Sequence, residues 1–383
     1  MGLRSWLDDR LGLTLFSQFN REQLHKPVPK HASNYAFTLG TAALVLFMSQ
    51  VGSGILLALN YSCSLGDGQE NIPAYSSVRN ITFEIPAGWL IRSFHAWGSH
   101  LMVLVVLLHL FRVFWYGAYK KPRELTWLFG CGLLFATLTF GFTGYLLPMD
   151  QVSYWGTVVA TNSFMDLPGL GDRVGQTILG GESVSGATLS RFFILHVLIL
   201  PASLLGLVAL HLYLVRRLGI ATRESVTVEQ HRGYENVMHQ EGVPFSKHMF
   251  REVTTVIVVL SATVTLAVLF PFELGPIATP GETPKGVKPE WYFLPIYQIL
   301  KYFPKLVGIL LVNAGIAVLV LLPFLDRNPE RSPGRRKFLM SAAAVALLAT
   351  FALGLLGYLS ERRIGRWEFD IRGVPHRAAE EAK

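Results

Sequence analysis

Seven stretches of the chain run for roughly 19 residues or more without a single Lys, Arg, Asp or Glu: 32–66, 93–111, 125–149, 192–215, 253–272, 306–325 and 338–360. A hydrocarbon core about 30 Å thick takes about 20 residues of helix to cross. Backbone amides cannot go unpaired in lipid, so each stretch is expected to be a transmembrane helix. A soluble all-α chain does not carry so many uncharged blocks. The expected fold class is all-α: an integral membrane bundle of seven transmembrane helices, a four-helix core followed by a three-helix C-terminal half.

The net charge of +8 raises the question of nucleic acid, and the distribution of charge answers it. With alternating helices, the N-terminal arm and the loops after the second, fourth and sixth helices hold 20 of the 34 Lys and Arg residues. The opposite loops hold 8 and the tail after Ser360 holds 6. This is the positive-inside pattern of a chain with a cytoplasmic N-terminus and an external C-terminus in a cytoplasmic (inner) membrane. The partner it implies is the bilayer, not nucleic acid. The basic tail, with Arg362, Arg363, Arg366 and Arg372, departs from the pattern and faces lipid headgroups, a partner or solvent. Residues 1–30 lack the apolar core of a cleavable signal. Cys63 and Cys131 form no disulfide framework and no Cys-x-x-Cys-His attachment site, so both read as packing residues.

Loops over 60–92, 117–124 and 148–191 join the first four helices, and 151–160 is apolar and aromatic enough for a helix lying on the membrane surface. The polar stretch 216–252 reads as a linker. The Pro- and Gly-rich segment 272–305 holds an apolar run, 291–300, too short to span and suited to an interfacial or re-entrant piece. The expected domains are an N-terminal cytoplasmic arm (1–31), a four-helix domain (32–217), a cytoplasmic linker (218–251), a three-helix domain (252–360) and a basic tail (361–383).

Ionisable residues at membrane depth are costly and mark function by default. The second helix carries His95 and His109, the fourth His196 and His211. The 14-residue step on the second helix returns to within about 40° of the same face, roughly 21 Å further along. The 15-residue step on the fourth returns to within about 60°, roughly 22 Å along. Two helices running the same way then offer two imidazoles at matching depths, His95 with His196 near the outside and His109 with His211 near the cytoplasm. Such a pair fills both axial positions of a haem iron, leaves no open site and suits electron transfer inside a bundle. The plain alternative is four unrelated core histidines, each hydrogen-bonded on its own.

Glycine repeats the period. Gly40 and Gly54 on the first helix, and Gly130 and Gly144 on the third, are also 14 apart, where missing side chains would admit a flat ring. Arg92 and Arg112, each three residues from a histidine, are placed to pair with haem propionates, or to snorkel to the interface. His100 lies about 140° from His95 on the helical wheel and reads as packing. On the outer side, Glu290 beside Trp291 and Tyr292 could take protons from a quinol hydroxyl, although an exposed loop Glu is usually just solvated. The string Gly144-Tyr145-Leu146-Leu147-Pro148 could form the opposing wall.

These motifs together resemble the cytochrome b family, the core subunit of bc-type quinol-oxidising complexes, over roughly residues 30–360. The resemblance implies two b haems, the low-potential one on His95 and His196 and the high-potential one on His109 and His211. It implies a quinol oxidation pocket in which Glu290, Tyr145 and Tyr292 handle protons, and a quinone reduction site near the cytoplasmic haem, with Arg216 a candidate there. Electrons would bifurcate to a Rieske iron–sulfur protein and to the two haems, with proton translocation by a Q-cycle. Partner subunits, among them a c-type cytochrome or equivalent acceptor, would complete the enzyme as a homodimeric respiratory complex III. The 15-residue step, the string Lys120-Lys121-Pro122-Arg123-Glu124-Leu125-Thr126-Trp127 and the three-helix second half resemble the chloroplast and Gram-positive branch, cytochrome b6 fused to its subunit IV. That branch often has a cysteine for a covalent third haem where this chain has Thr38, which forms no thioether, so a covalent third haem is not expected. Two other readings are a di-haem membrane anchor of a dehydrogenase or hydrogenase, which has no need of Glu290, and a secondary transporter, which does not explain the paired depths.

Overall fold

The computed structural model describes residues 14, 28–66, 72–165, 169, 171–233, 242–243, 245–281, 284 and 286–377. Most of the N-terminal arm and the last six residues of the tail therefore lie outside the described residues.

Each uncharged stretch forms one long helix. The spans are Leu39–Ala58, Gly88–Trp115, Glu124–Leu146, Gly186–Leu218, Phe245–Leu269, Lys305–Leu325 and Lys337–Leu359. All seven are long and apolar enough to cross a membrane. The second span, with 28 residues, is about 42 Å long and overshoots the hydrocarbon at its ends. At the start of the fourth, the Ser185 N–H donates to Thr188 Oγ1 at 2.9 Å, which fixes the entry of the chain.

The fourth span is not a uniform α-helix. Residues Leu195–Ile199 form a π-turn, and the Leu200 N–H bonds back five residues to the Leu195 carbonyl. The cause stands next in the chain. Pro201 has no N–H to give the Val197 carbonyl, so the regular ladder is already broken there, and one extra residue fits into the widened turn. With that residue absorbed, the 15-residue step between His196 and His211 advances like the 14-residue step on the second span.

The faces of the bundle are stitched differently. On the face with the basic loops, Glu229 accepts from Arg123 at 3.2 Å, from Thr222 at 2.8 Å and from Arg331. Asp326 accepts from Lys120 and Tyr119, and Arg336 donates to the Tyr119 hydroxyl at 3.2 Å. The loop after the second span is thereby clamped to both the linker and the loop between the last two spans. The linker is shorter and more structured than 218–251 suggested: Val226–Arg232 is helical with Glu229 buried, and the fifth span already begins at Phe245.

On the opposite face, backbone bonds join the loops after the third and fifth spans: Gln151 N–H to Pro276 at 2.8 Å and Ala278 N–H to Met149 at 3.1 Å. The helix expected over 151–160 runs over Gln151–Met165; it packs one face, with Ser153, Thr157 and Thr161, onto the protein and leaves Val152 and Val159 exposed on the other. The short run expected near 291–300 forms Leu294–Tyr302, too short to span, against the last two spans. The tail folds into a small antiparallel sheet over 363–377, and the Arg372 carbonyl accepts from Gln298 and Tyr302, both at 2.8 Å. Thr38 is buried and bonds to the Thr255 hydroxyl at 2.7 Å.

Candidate functional site

The four histidines come together as two pairs. The His95 and His196 rings face each other with centroids 6.3 Å apart and planes at 69°. His109 lies close enough to His211 for the two to interact electrostatically. A buried apolar layer with Leu46, Phe47, Met102, Val105 and Leu204 at its core separates the two levels. Every one of those residues falls, in its own helix, between the two marked positions.

Hydrogen bonds fix which nitrogen each outer imidazole presents. Ser53 Oγ donates its proton to the Ser49 carbonyl at 2.8 Å and lies 2.9 Å from His95 Nδ1. With its one proton spent, the hydroxyl can only accept, so Nδ1 carries the ring hydrogen and Nε2 keeps a free lone pair. Thr143 repeats the arrangement: its hydroxyl donates to the Thr139 carbonyl at 2.9 Å and accepts from His196 Nδ1 at 3.1 Å. Both rings are thus held in the metal-ligating tautomer by partners behind them. Metal–imidazole bonds are about 2 Å long, so one metal atom fits between two rings at this separation. At the inner level the His109 Nδ1 is buried without a partner among the described residues, and the Thr126 backbone lies beside His211.

The donor set also says what kind of metal group fits. No three His, Cys, Asp or Glu residues meet in a cluster among the described residues. Two imidazoles per level would suit a group that brings its other donors with it, such as a haem, and these four residues are the ones that would hold it. The glycines sit one to one on the histidines. A Cβ would lie 2.5 Å from His196 Cε1 at Gly144, 3.2 Å from His95 at Gly54, 3.4 Å from His109 at Gly40 and 3.6 Å from His211 at Gly130. The first of these distances does not occur between real atoms, and the last is ordinary contact.

The two arginines diverge. Arg112 lies 4.5 Å over the Phe37 ring with Nε buried and without a hydrogen-bond partner among the described residues, placed to face an anionic group at the inner level. Arg92 instead donates to the Phe272 and Glu273 carbonyls at 2.7 and 3.0 Å, stitching the second span to the end of the fifth rather than turning to His95. Arg216 is exposed on the last turn of the fourth span.

On the opposite face from the basic loops, Glu290, Tyr145 and Tyr292 lie within electrostatic reach of one another. The Tyr292 hydroxyl rests on Gly141, and Tyr145 packs edge-on against Gly156, positions where a Cβ would collide with either ring. Burial pushes the Glu290 carboxyl above its usual range, and burial with Glu290 beside it pushes the Tyr292 phenol up. A carboxyl of raised affinity between two phenols can accept and pass on a proton near neutral pH.

His100 corrects the sequence reading. It is not simple packing: its Nε2 lies 3.7 Å from Glu290 Oε2 and its Nδ1 accepts from the Trp291 indole at 3.1 Å. The one available signal was the 140° offset itself, which turns His100 from the metal levels toward whatever packs on the other side of the span.

Fold and site define a multi-pass membrane protein that pairs histidines from its second and fourth spans at two depths of one bundle. Comparison with known proteins narrows the class. The family model described as Cytochrome b/b6/petB matches residues 23–219, and the one described as Cytochrome b(C-terminal)/b6/petD matches residues 277–367. The chain is 36% identical to the cytochrome bc complex cytochrome b subunit of Chlorobaculum thiosulfatiphilum, over 85% of this chain and 75% of the relative. It is 32% identical to cytochrome b of Cereibacter sphaeroides, over 92% of this chain and 82% of the relative. A solved structure described as a hyperthermophilic respiratory Complex III contains a chain that superposes with a TM-score of 0.81 at 33% identity, covering 94% of this chain and 92% of that one. The chain belongs to the cytochrome b family. It is accordingly a haem b protein and a subunit of an oxidoreductase complex, not a complete enzyme by itself.

Proposed function

We propose that the chain oxidises quinol at the face bearing Glu290 and carries electrons across the membrane to reduce quinone near the basic face. The observation that carries this reading is the pair of outer imidazoles, each locked by a hydroxyl with Nε2 free, with a second histidine pair at another depth beyond an apolar layer. Haem bound between His95 and His196, and between His109 and His211, supplies one-electron redox chemistry at two levels. The residues of the chain do the rest. Ser53 and Thr143 orient the outer ligands, and Arg112 offers a buried positive charge to a propionate. Glu290 receives a proton from a quinol hydroxyl, flanked by Tyr145 and Tyr292, which hold the substrate oxygen. The apolar layer keeps water and protons from following.

The electrons of quinol divide between a Rieske iron–sulfur partner and this chain, and quinone is reduced near the basic face, where Arg216 stands. A c-type cytochrome or equivalent subunit accepts from the Rieske partner in a homodimeric complex. The N-terminus is cytoplasmic and the C-terminus external in the cytoplasmic membrane, as supported by the excess of Lys and Arg on one set of loops. The chain divides in this reading into a four-helix di-haem domain and a three-helix quinol-site domain. The separate family models over 23–219 and 277–367 fit a division, the second covering the last two spans and the loop before them.

Haem per chain in the purified complex, by pyridine haemochrome before and after acid–acetone extraction, tests the reading. Two extractable b haems are expected, with about one remaining in His95→Ala and in His211→Ala. One or none in the unaltered protein would overturn it.

A further inference from the structure

We propose that His100 is a positioning residue for Glu290: its Nε2–H is held toward the carboxylate, keeping it ionised and aimed for proton uptake. The inference rests on the assignment of Glu290 as proton acceptor and adds a partner from a different element.

His100 sits in an aromatic enclosure. Phe272 stacks on it with centroids 5.6 Å apart and planes at 19°, Trp97 lies 5.9 Å away and Tyr292 6.3 Å. Phe272 and Trp97 are fixed in turn, because the Phe272 N–H donates to Ser93 Oγ at 3.0 Å and the Trp97 indole donates to the Phe270 carbonyl at 2.7 Å. The ring has little room to flip or swing, and its two nitrogens point at two different groups.

Those groups settle the tautomer. The Trp291 indole is a donor without acceptor capacity, so the Nδ1 it reaches at 3.1 Å must be unprotonated. The neutral ring then carries its hydrogen on Nε2, which faces Glu290 Oε2 at 3.7 Å, a few tenths of an ångström beyond a hydrogen bond. A second proton on the ring would set N–H against N–H at Trp291. His100 is therefore built as a standing donor and not as a relay that loads and releases protons. It is the reverse of His95 and His196, whose Nδ1 is protonated and whose Nε2 is free.

The groups facing Glu290 are Tyr145 from the third span, Tyr292 from its own loop and His100 from the second span. The two phenols are uncharged and burial disfavours the anion, so the neutral His100 Nε2–H is the donor that faces this carboxylate from another span among the described residues. A donor to the ionised form lowers the proton affinity of a carboxyl; losing it raises that affinity.

The test compares His100→Ala and His100→Gln in the assembled complex, by the pH profile of quinol oxidation and by infrared titration of the Glu290 carboxyl band, identified by its loss in Glu290→Gln. In His100→Ala the acid limb and the band midpoint should both move up by about one pH unit, with haem content unchanged. His100→Gln, whose amide can accept from Trp291 and donate to Glu290, should restore most of the shift. An unchanged band midpoint in His100→Ala would overturn the proposal. Wild-type turnover in Glu290→Gln would instead overturn the role of Glu290 in the reaction, and the band midpoint would still report on the His100 contact.

Discussion

The first four spans turn their chemistry inward, toward histidines, hydroxyls and glycines met helix to helix. The last three carry theirs in a connecting loop and present mostly apolar surface outward: Leu348 and Phe351 in the seventh span are 69% and 72% exposed, whereas Leu46 in the first span is fully buried. A cofactor held inside a bundle needs polar atoms at fixed depths on several helices, and depth along a helix is periodic. A substrate that enters from the membrane needs a pocket at the edge, which loops build. In the proposed reading the cofactor is held wholly within the first four spans, whereas the proton-handling group is shared. Glu290 and Tyr292 of the second half meet Tyr145 and His100 of the first, and this contrast can be attacked from both sides.

The largest effect is expected on the cofactor side. His196→Ala should remove the outer haem and abolish quinol oxidation, while the inner haem persists in the reduced-minus-oxidised spectrum; retention of both haems would break the comparison. The reciprocal change is Glu290→Gln. It should leave both haems in place and slow quinol oxidation by about 100-fold or more, the usual range for loss of a general base. Haem loss in that variant would show that the halves are not separable.

Glycine sharpens the comparison within the first half. A methyl group at Gly144 has no space beside His196, whereas at Gly130 it meets only ordinary contact with His211. Gly144→Ala should displace the outer ligand, visible as a broadened or weakened haem signal and several-fold slower turnover. Gly130→Ala should change either by less than a factor of two. Equal effects would mean that the glycines answer to something other than the rings.

The smallest effect concerns what joins the halves on the basic face. Burial opposes ionisation of Glu229, but Arg123, Arg331 and Thr222 together outweigh it and hold the carboxyl below its ordinary value of 4.5. A carboxyl with a depressed folded value stabilises the fold above the unfolded value and loses that contribution as pH falls through the folded one. Thermal unfolding of the detergent-solubilised complex should therefore begin to weaken only below about pH 4.5. Glu229→Gln should lower stability by about 3 kcal/mol at neutral pH, because two buried guanidinium groups lose their carboxylate. It should remove that acid dependence while leaving haem spectra unchanged; an unaltered melting profile would show that the clamp carries no weight.

The spans and the pairing of the four histidines were legible from the sequence because both follow from simple counting: uncharged runs give the helices, and the period of the helix gives the depths. The fifth span starts eight residues before its uncharged run at Val253, because the helix continues through charged residues at its basic end, where Glu252 pairs with His248 one turn earlier at 2.8 Å. Arg92 and His100 could not be placed by counting. Their partners, the Phe272 carbonyl and Glu290, lie 180 and 190 positions further along, and only the packing of the fifth span and its loop onto the second brings them near. The linker helix carrying Glu229 hides for the same reason, being short and tied down by the distant Arg123 and Arg331.

The turn at Leu195–Ile199 bears on how such a chain can change length. A residue inserted into a regular helix rotates everything beyond it by about 100° and shifts it by about 1.5 Å, enough to turn a ligand off its metal. Here the insertion is confined to one wide turn next to Pro201, so the helix on either side keeps its phase. Insertion and deletion, ordinarily fatal in a ligand-bearing span, become neutral moves at this one place. The number of residues between His196 and His211 can then vary while the spacing of the two histidine levels stays fixed.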